Sequence, residues 1–172
     1  MQKSLISIDL KADFGLLKKP DANEPVYLTF NMIHKPALLG IFGAIIGLQG
    51  FKKQGELPEY YQKLKDLKLG IQPLQHENGN YQKTVITYNN TTGMASDEQG
   101  GNLMVSEQTL ITPSFRVYVL IDQADEYQQK LYEYLKESKA EYLPYLGKND
   151  FSLWWNKDDF KEYKYKSYTP EA

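Results

Sequence analysis

Residues 34–50 read HKPALLGIFGAIIGLQG, the most apolar run of the chain, with glycines at 40, 43, 47 and 50. A membrane span, a phosphate-binding loop and a buried helix are the three readings to separate. The apolar part from Ala37 to Leu48 falls well short of the roughly 18 to 20 residues that cross a bilayer. No Gly-Lys-Ser/Thr follows it and its glycines are not spaced G-x-G-x-x-G, so neither phosphate-loop motif is present. Pro36 suits the first position of a helix, where its missing N–H costs nothing. On that helix Gly40, Gly43, Ala44 and Gly47 share one stripe, and Leu38, Leu39, Ile41, Phe42, Ile45 and Ile46 cover the rest. Each glycine costs roughly 0.5 to 1 kcal/mol of helix propensity relative to alanine, so several together need a compensating close approach. We expect a buried helix with Gly40, Gly43 and Gly47 as close-packing positions against a backbone. That backbone is the protein's own sheet, a partner subunit or nucleic acid. The unpaired N–H groups at the helix start, with His34 and Lys35 just before it, favour an anion such as a phosphate.

On the N-terminal side, Ser4 to Leu10 alternates, with Ile6, Ile8 and Leu10 on one face, as a half-buried strand does. VYLTF, 26–30, reads as a second short strand. On the C-terminal side, 57–66 is a short amphipathic helix opening at Pro58, and Lys68–Leu74 and Tyr81–Tyr88 are strands around the turn HENGN. NNTTGMASDEQGGN, 89–102, is polar and glycine-rich, which makes it a projecting hairpin tip or loop. Leu103–Ile111 and Phe115–Ile121 are strands, the second turning Phe115, Val117, Val119 and Ile121 to one side. Asp122 is positioned to cap a helix over 124–138, with Tyr127, Leu131, Tyr134 and Leu135 on one face. This order predicts an α+β fold: a ferredoxin-like or RRM-like antiparallel sheet with helices on one face and a protruding β-hairpin. One domain is expected over 1–155, with an insert near 89–102 and a charged, tyrosine-rich tail over 156–172.

The chain has 172 residues, no cysteine, and two histidines at 34 and 76 without ligand-like spacing. A disulfide framework and a thiolate metal site are therefore excluded, and no metal or cofactor is expected. The N-terminal MQKSLISIDLKAD is a poor signal peptide and a good first strand, which fits a cytoplasmic setting. The net charge of −2 hides an asymmetry: residues 11–53 carry +3 and residues 122–162 carry −4. A polyanion is expected to prefer the N-terminal half.

Taken together, SLISIDLKADFG, KPALLGIFGAIIG, SEQTLITPSFRVYVLI after the polar insert, and YLPYLGKNDFSLWW resemble the CRISPR-associated Cas-five family of the RAMP superfamily, particularly members of type I-B Cascade complexes. The resemblance spans nearly the whole chain. It implies an RRM-like domain with a β-hairpin thumb. Many members continue into a small C-terminal β domain, whereas this chain stops soon after Trp155. The resemblance also implies a non-catalytic subunit that holds the 5' handle of the guide RNA in antiviral defence. Such a subunit caps the backbone filament, touches the Cas-seven-type backbone subunit and the large subunit, and meets target DNA through the complex. No membrane contact is expected.

RNA at such a surface is held by phosphate charge, backbone N–H groups and bases stacked on aromatics. The candidates are Lys11, Lys18, Lys19, His34, Lys35, Lys83, Asn89, Asn90, Arg116 and Lys148. The rival reading is a metal-independent endoribonuclease that processes precursor guide RNA, as the type I-C branch of that family does. It needs a general base near a ribose 2'-hydroxyl and a lysine for the developing charge. His34-Lys35, and Lys83 near His76, are the available sets, and the 89–102 insert contains no histidine.

Overall fold

The computed structural model describes residues 3–20, 25–90 and 103–168. Among the described residues eight strands and three α-helices follow in chain order: β1 (Lys3–Ala12), β2 (Phe14–Gly15), α1 (Lys35–Ile46), α2 (Glu59–Leu64), β3 (Lys68–Pro73), β4 (Lys83–Asn89), β5 (Met104–Ile111), β6 (Ser114–Asp122), α3 (Glu126–Glu137), β7 (Leu153–Trp154) and β8 (Lys161–Tyr163). Alternation in β1 and β6 sends Ile6, Ile8, Leu10, Phe115, Val117, Val119 and Ile121 to one side, each no more than 1% exposed. Their register, with Ile8 opposite Val117 and Asp9 opposite Arg116, makes that side a continuous apolar floor. Leu38, Leu39, Phe42 and Ile45 of α1 and Leu131 and Leu135 of α3 close over it, and burial of this apolar area is the main stabilising term.

The larger sheet has the order β3-β6-β1, with β7 and β8 both on the outer edge of β1, and every pairing is antiparallel. With β2, β4 and β5 of the second sheet and the short α2 set aside, and β7 and β8 taken as one edge, the chain runs strand, helix, strand, strand, helix, strand. Central β1 and β6 lie between β3 and β7/β8, which is the ferredoxin-like arrangement the sequence predicted. The hairpin departs between β3 and β6 and forms a second sheet of order β2-β5-β4. Most of the insert expected at 89–102 lies outside the described residues.

Several local expectations are corrected. Pro36 occupies the second helical position, because His34 is the N-cap and Lys35 the first residue of α1. Val26–Phe30 forms only isolated bridges, from Thr29 to Lys18 and from Tyr27 to Glu107. Its backbone groups are divided between β5 on one side and residues 17–19 on the other, so neither ladder grows. Asp125, not Asp122, caps α3 by accepting from the N–H groups of Tyr127 and Gln128. Asp122 still pairs with Lys3 at the end of β6. Within the stretch expected to be a charged tail, a 3-10 turn over Lys157–Asp159 leads into β8, which pairs with Leu5, Ile6 and Ser7 of β1. Among the described residues no helix is long and apolar enough to cross a membrane.

Candidate nucleic-acid interface

Val26–Phe30, ahead of α1, is tied to β5 by hydrogen bonds from Tyr27 N–H to Ser106 O (2.9 Å) and from Gln108 N–H to Tyr27 O (2.8 Å). The tie holds two lysines over aromatic rings. The Lys18 ammonium lies 3.6 Å from the centre of Tyr27, and that of Lys19 5.7 Å from Phe30. Phe30 meets His34 edge-on at 5.6 Å. His34 is exposed, and its Nδ1 accepts the Ala37 N–H at 3.3 Å, which caps α1. Nearby, Asn31 donates to Asn80, whose amide oxygen also accepts from Lys83 (both 3.3 Å). Cations presented over ring faces, with no ion pair to a carboxylate among the described residues, suit phosphate and base contacts together.

The other candidates are committed inside the fold to different degrees. Lys11 donates to both oxygens of Asp159 at 2.8 and 2.9 Å. Arg116 forms a fork on Asp9 at 2.7 and 2.9 Å, and that bond raises its guanidinium well above the ordinary range. The Lys148 ammonium sits 2.7 Å from Glu107 and 4.7 Å from the centre of Tyr88. Burial pulls its pKa down, but the Glu107 carboxylate outweighs that and holds it above the usual lysine value. Lys35 donates to the carbonyl of Leu67 at 2.9 Å just past α2. Asn89 ends β4, and the Asn90 N–H donates to Leu103 O at 2.7 Å, which closes the described part of the hairpin. The structure thus brings Lys18, Lys19 and His34 together, with Lys83 linked through Asn80 and Asn31. Lys11, Arg116 and Lys148 are each spent on a carboxylate. His76, like His34, uses Nδ1 on backbone, accepting from the N–H groups of Asn78 and Asn80 at 3.3 Å.

The glycine stripe meets side chains, not a backbone. A Cβ added at Gly43 would collide with Cβ of Tyr60 on α2, and one at Gly40 would rest 3.7 Å from the same ring. Gly47 is the C-cap, with φ +84°. The glycine pressed on a backbone is instead Gly147 (φ +88°), whose missing Cβ makes room for the Leu16 carbonyl. Ala37, Gly40 and Ala44 floor a cavity of about 540 Å³ walled by Tyr60, Tyr142 and Tyr145, and no charged residue lines it. Beside it Leu143 is 87% and Phe51 74% exposed.

Sequence reasoning missed Tyr27, Phe30 and Glu107. Val26–Phe30 read as a short strand, which placed Tyr27 and Phe30 in a sheet, and nothing local marked Glu107 as the partner of a lysine 41 residues away.

No family model matches the chain, and no curated protein matches it. A chain of a solved CRISPR RNA-guided surveillance complex is similar in fold, with a TM-score of 0.58 and 15% identity. The match covers 84% of this chain and 58% of that one, so the present chain spans little more than half of its length. A CRISPR-associated protein (TM-score 0.44, 10% identity, 91% and 68% covered) and a functionally uncharacterized protein from Streptococcus mutans (0.44, 11%, 95% and 69%) are more distant.

Proposed function

We propose that this protein is a non-catalytic RNA-binding subunit of a type I CRISPR surveillance complex, of the Cas-five kind and type I-B-like. It holds the 5' handle of the guide RNA in the cytoplasm. The observation that carries the reading is the cluster of Lys18 over Tyr27 and Lys19 over Phe30, with His34 at the start of α1. Phosphates take the ammonium groups, and splayed bases take the ring faces. The uncharged groove on the glycine side of α1, with Leu143 and Phe51 exposed beside it, has the character of a protein contact. It is assigned to an assembly partner, the backbone subunit or the large subunit, and target DNA is met only through the assembled complex.

The test is co-expression with the neighbouring subunits and a repeat-spacer RNA, followed by sequencing of the retained RNA. A uniform repeat-derived 5' end is expected, and RNA of random sequence overturns the reading. Precursor guide RNA incubated with the purified protein and EDTA is expected to stay intact. Site-specific cleavage that is lost in His34→Ala or His76→Ala moves the function to a metal-independent endoribonuclease.

A further inference from the structure

The face of the larger sheet away from the helices carries a second set of aromatic and polar groups, separate from the Lys18–Phe30 cluster. Register puts Tyr118 of β6, Tyr163 of β8 and Trp154 of β7 on this face, opposite Ser7, Leu5 and Lys11 respectively. Trp154 is 39% exposed, and Tyr118 and Tyr163 are half-buried with ring centres 5.8 Å apart. Each tyrosine is held in orientation: Tyr118 donates to Gln72 Oε1 at 3.1 Å, and Tyr163 Oη meets Ser7 Oγ at 2.8 Å. Gly70 stands beside Tyr118 on β3, and its missing Cβ leaves the flank of the ring open, since an added Cβ would sit 3.7 Å from Cδ2.

Charge on this face runs against that of the chain. Asp159 and Asp9 balance Lys11 and Arg116, and Asp122 stands opposite Lys3, which leaves Lys68 and Lys161 as the surplus positive charge there, although the whole chain carries −2. Fixed aromatic rings on an open sheet face with surplus positive charge match the way single-stranded RNA is held, bases stacked and phosphates neutralised. The face also leads towards the first site. Gln72 and Arg116 form the row next to Pro73 and Phe115, where the chain leaves the sheet for the β4–β5 hairpin that Tyr27 is bonded to.

We infer that this helix-free face is a second RNA contact, on which unpaired bases of a single strand stack against Tyr118 and Trp154. The inference rests on the proposed RNA-binding function. Ring stacking supplies affinity without counter-ion release, so removing a ring lowers affinity without changing the salt slope, whereas removing a lysine changes both.

The experiment uses the full chain and a single-stranded oligoribonucleotide carrying one 5-iodouridine at each position in turn, irradiated and mapped by mass spectrometry. Cross-links at Tyr118, Trp154 or Tyr163 are expected from some positions and at residues 18–34 from others. Trp154→Ala and Tyr118→Ala should each weaken binding about tenfold with the salt slope unchanged, and Tyr118→Phe should keep near-native affinity. Trp154→Ala, at an exposed edge position, and the wild-type cross-links decide the matter if Tyr118→Ala fails to fold. Cross-links confined to residues 18–34, with native affinity in folded Trp154→Ala, overturn the inference and leave the proposed function standing. A wild-type chain that binds no RNA removes both.

Discussion

The Lys148 ammonium lies 2.7 Å from the Glu107 carboxylate and fastens the loop after α3 to the middle of β5, the inner strand of the hairpin sheet. Glu107 is 7% exposed and also accepts from the Tyr88 hydroxyl at 3.2 Å. Lys148→Met strands a buried carboxylate, and we expect a loss of about 2 to 3 kcal/mol, somewhat below that of a fully buried pair. The double variant Lys148→Met/Glu107→Gln should recover more than half of it in denaturant unfolding. Because the folded pKa of Lys148 is raised, its contribution is complete below the ordinary lysine value and is lost as pH rises through the folded one. The wild type should therefore lose its advantage over Lys148→Met only in strong alkali.

Charge reversal at the basic cluster tests the RNA contact proposed there. Lys18→Glu with Lys19→Glu should weaken RNA binding more than tenfold and reduce the slope of log K against log salt by about 0.7 for each phosphate no longer neutralised. Lys11→Ala, which removes a lysine already held by Asp159, should leave that slope unchanged. Fluorescence anisotropy over a salt series checks both.

Glycines of the α1 stripe should respond with opposite signs. Gly40→Ala places its methyl at ordinary contact with the Tyr60 ring, so the gain in helix propensity, up to about 1 kcal/mol, should raise Tm. Gly43→Ala drives a methyl into Tyr60 and should cost about 1 to 3 kcal/mol. Gly47→Ala forces a side chain onto a left-handed cap and should cost about 1 to 2 kcal/mol. Thermal melts of the three variants suffice, and a uniform rise in Tm would remove the close packing.

Acid stability reports on Asp159. Burial raises its carboxyl pKa, but bonds from Lys11 and from the Asn156 N–H outweigh that and hold it below the usual carboxylate range. A depressed folded pKa contributes stability that is present above the unfolded value and is lost as pH falls through the folded one. Asp159→Asn should therefore cost about 1 kcal/mol near neutrality and flatten the fall in Tm below about pH 4.

The alternation of β1 and β6 and the apolar cover of α1 and α3 were legible in the sequence because each is a local period with one buried face, and one buried face fixes register. Those periods determined the ferredoxin-like sheet. The candidate site was legible only as charge: Lys18, Lys19 and His34 were named from sequence, but so were Lys11, Arg116 and Lys148, whose carboxylate partners lie 148, 107 and 41 residues away. No local pattern encodes such a pairing. Tertiary structure alone decided which cations are spent and which rest on rings, because an ion pair depends on distance in space. It likewise put Tyr60 against Gly43, where the sequence asked for a backbone, and set β8 beside β1, where it asked for a tail. A short polar segment gains its strand geometry from the edge it docks on, not from its own propensity.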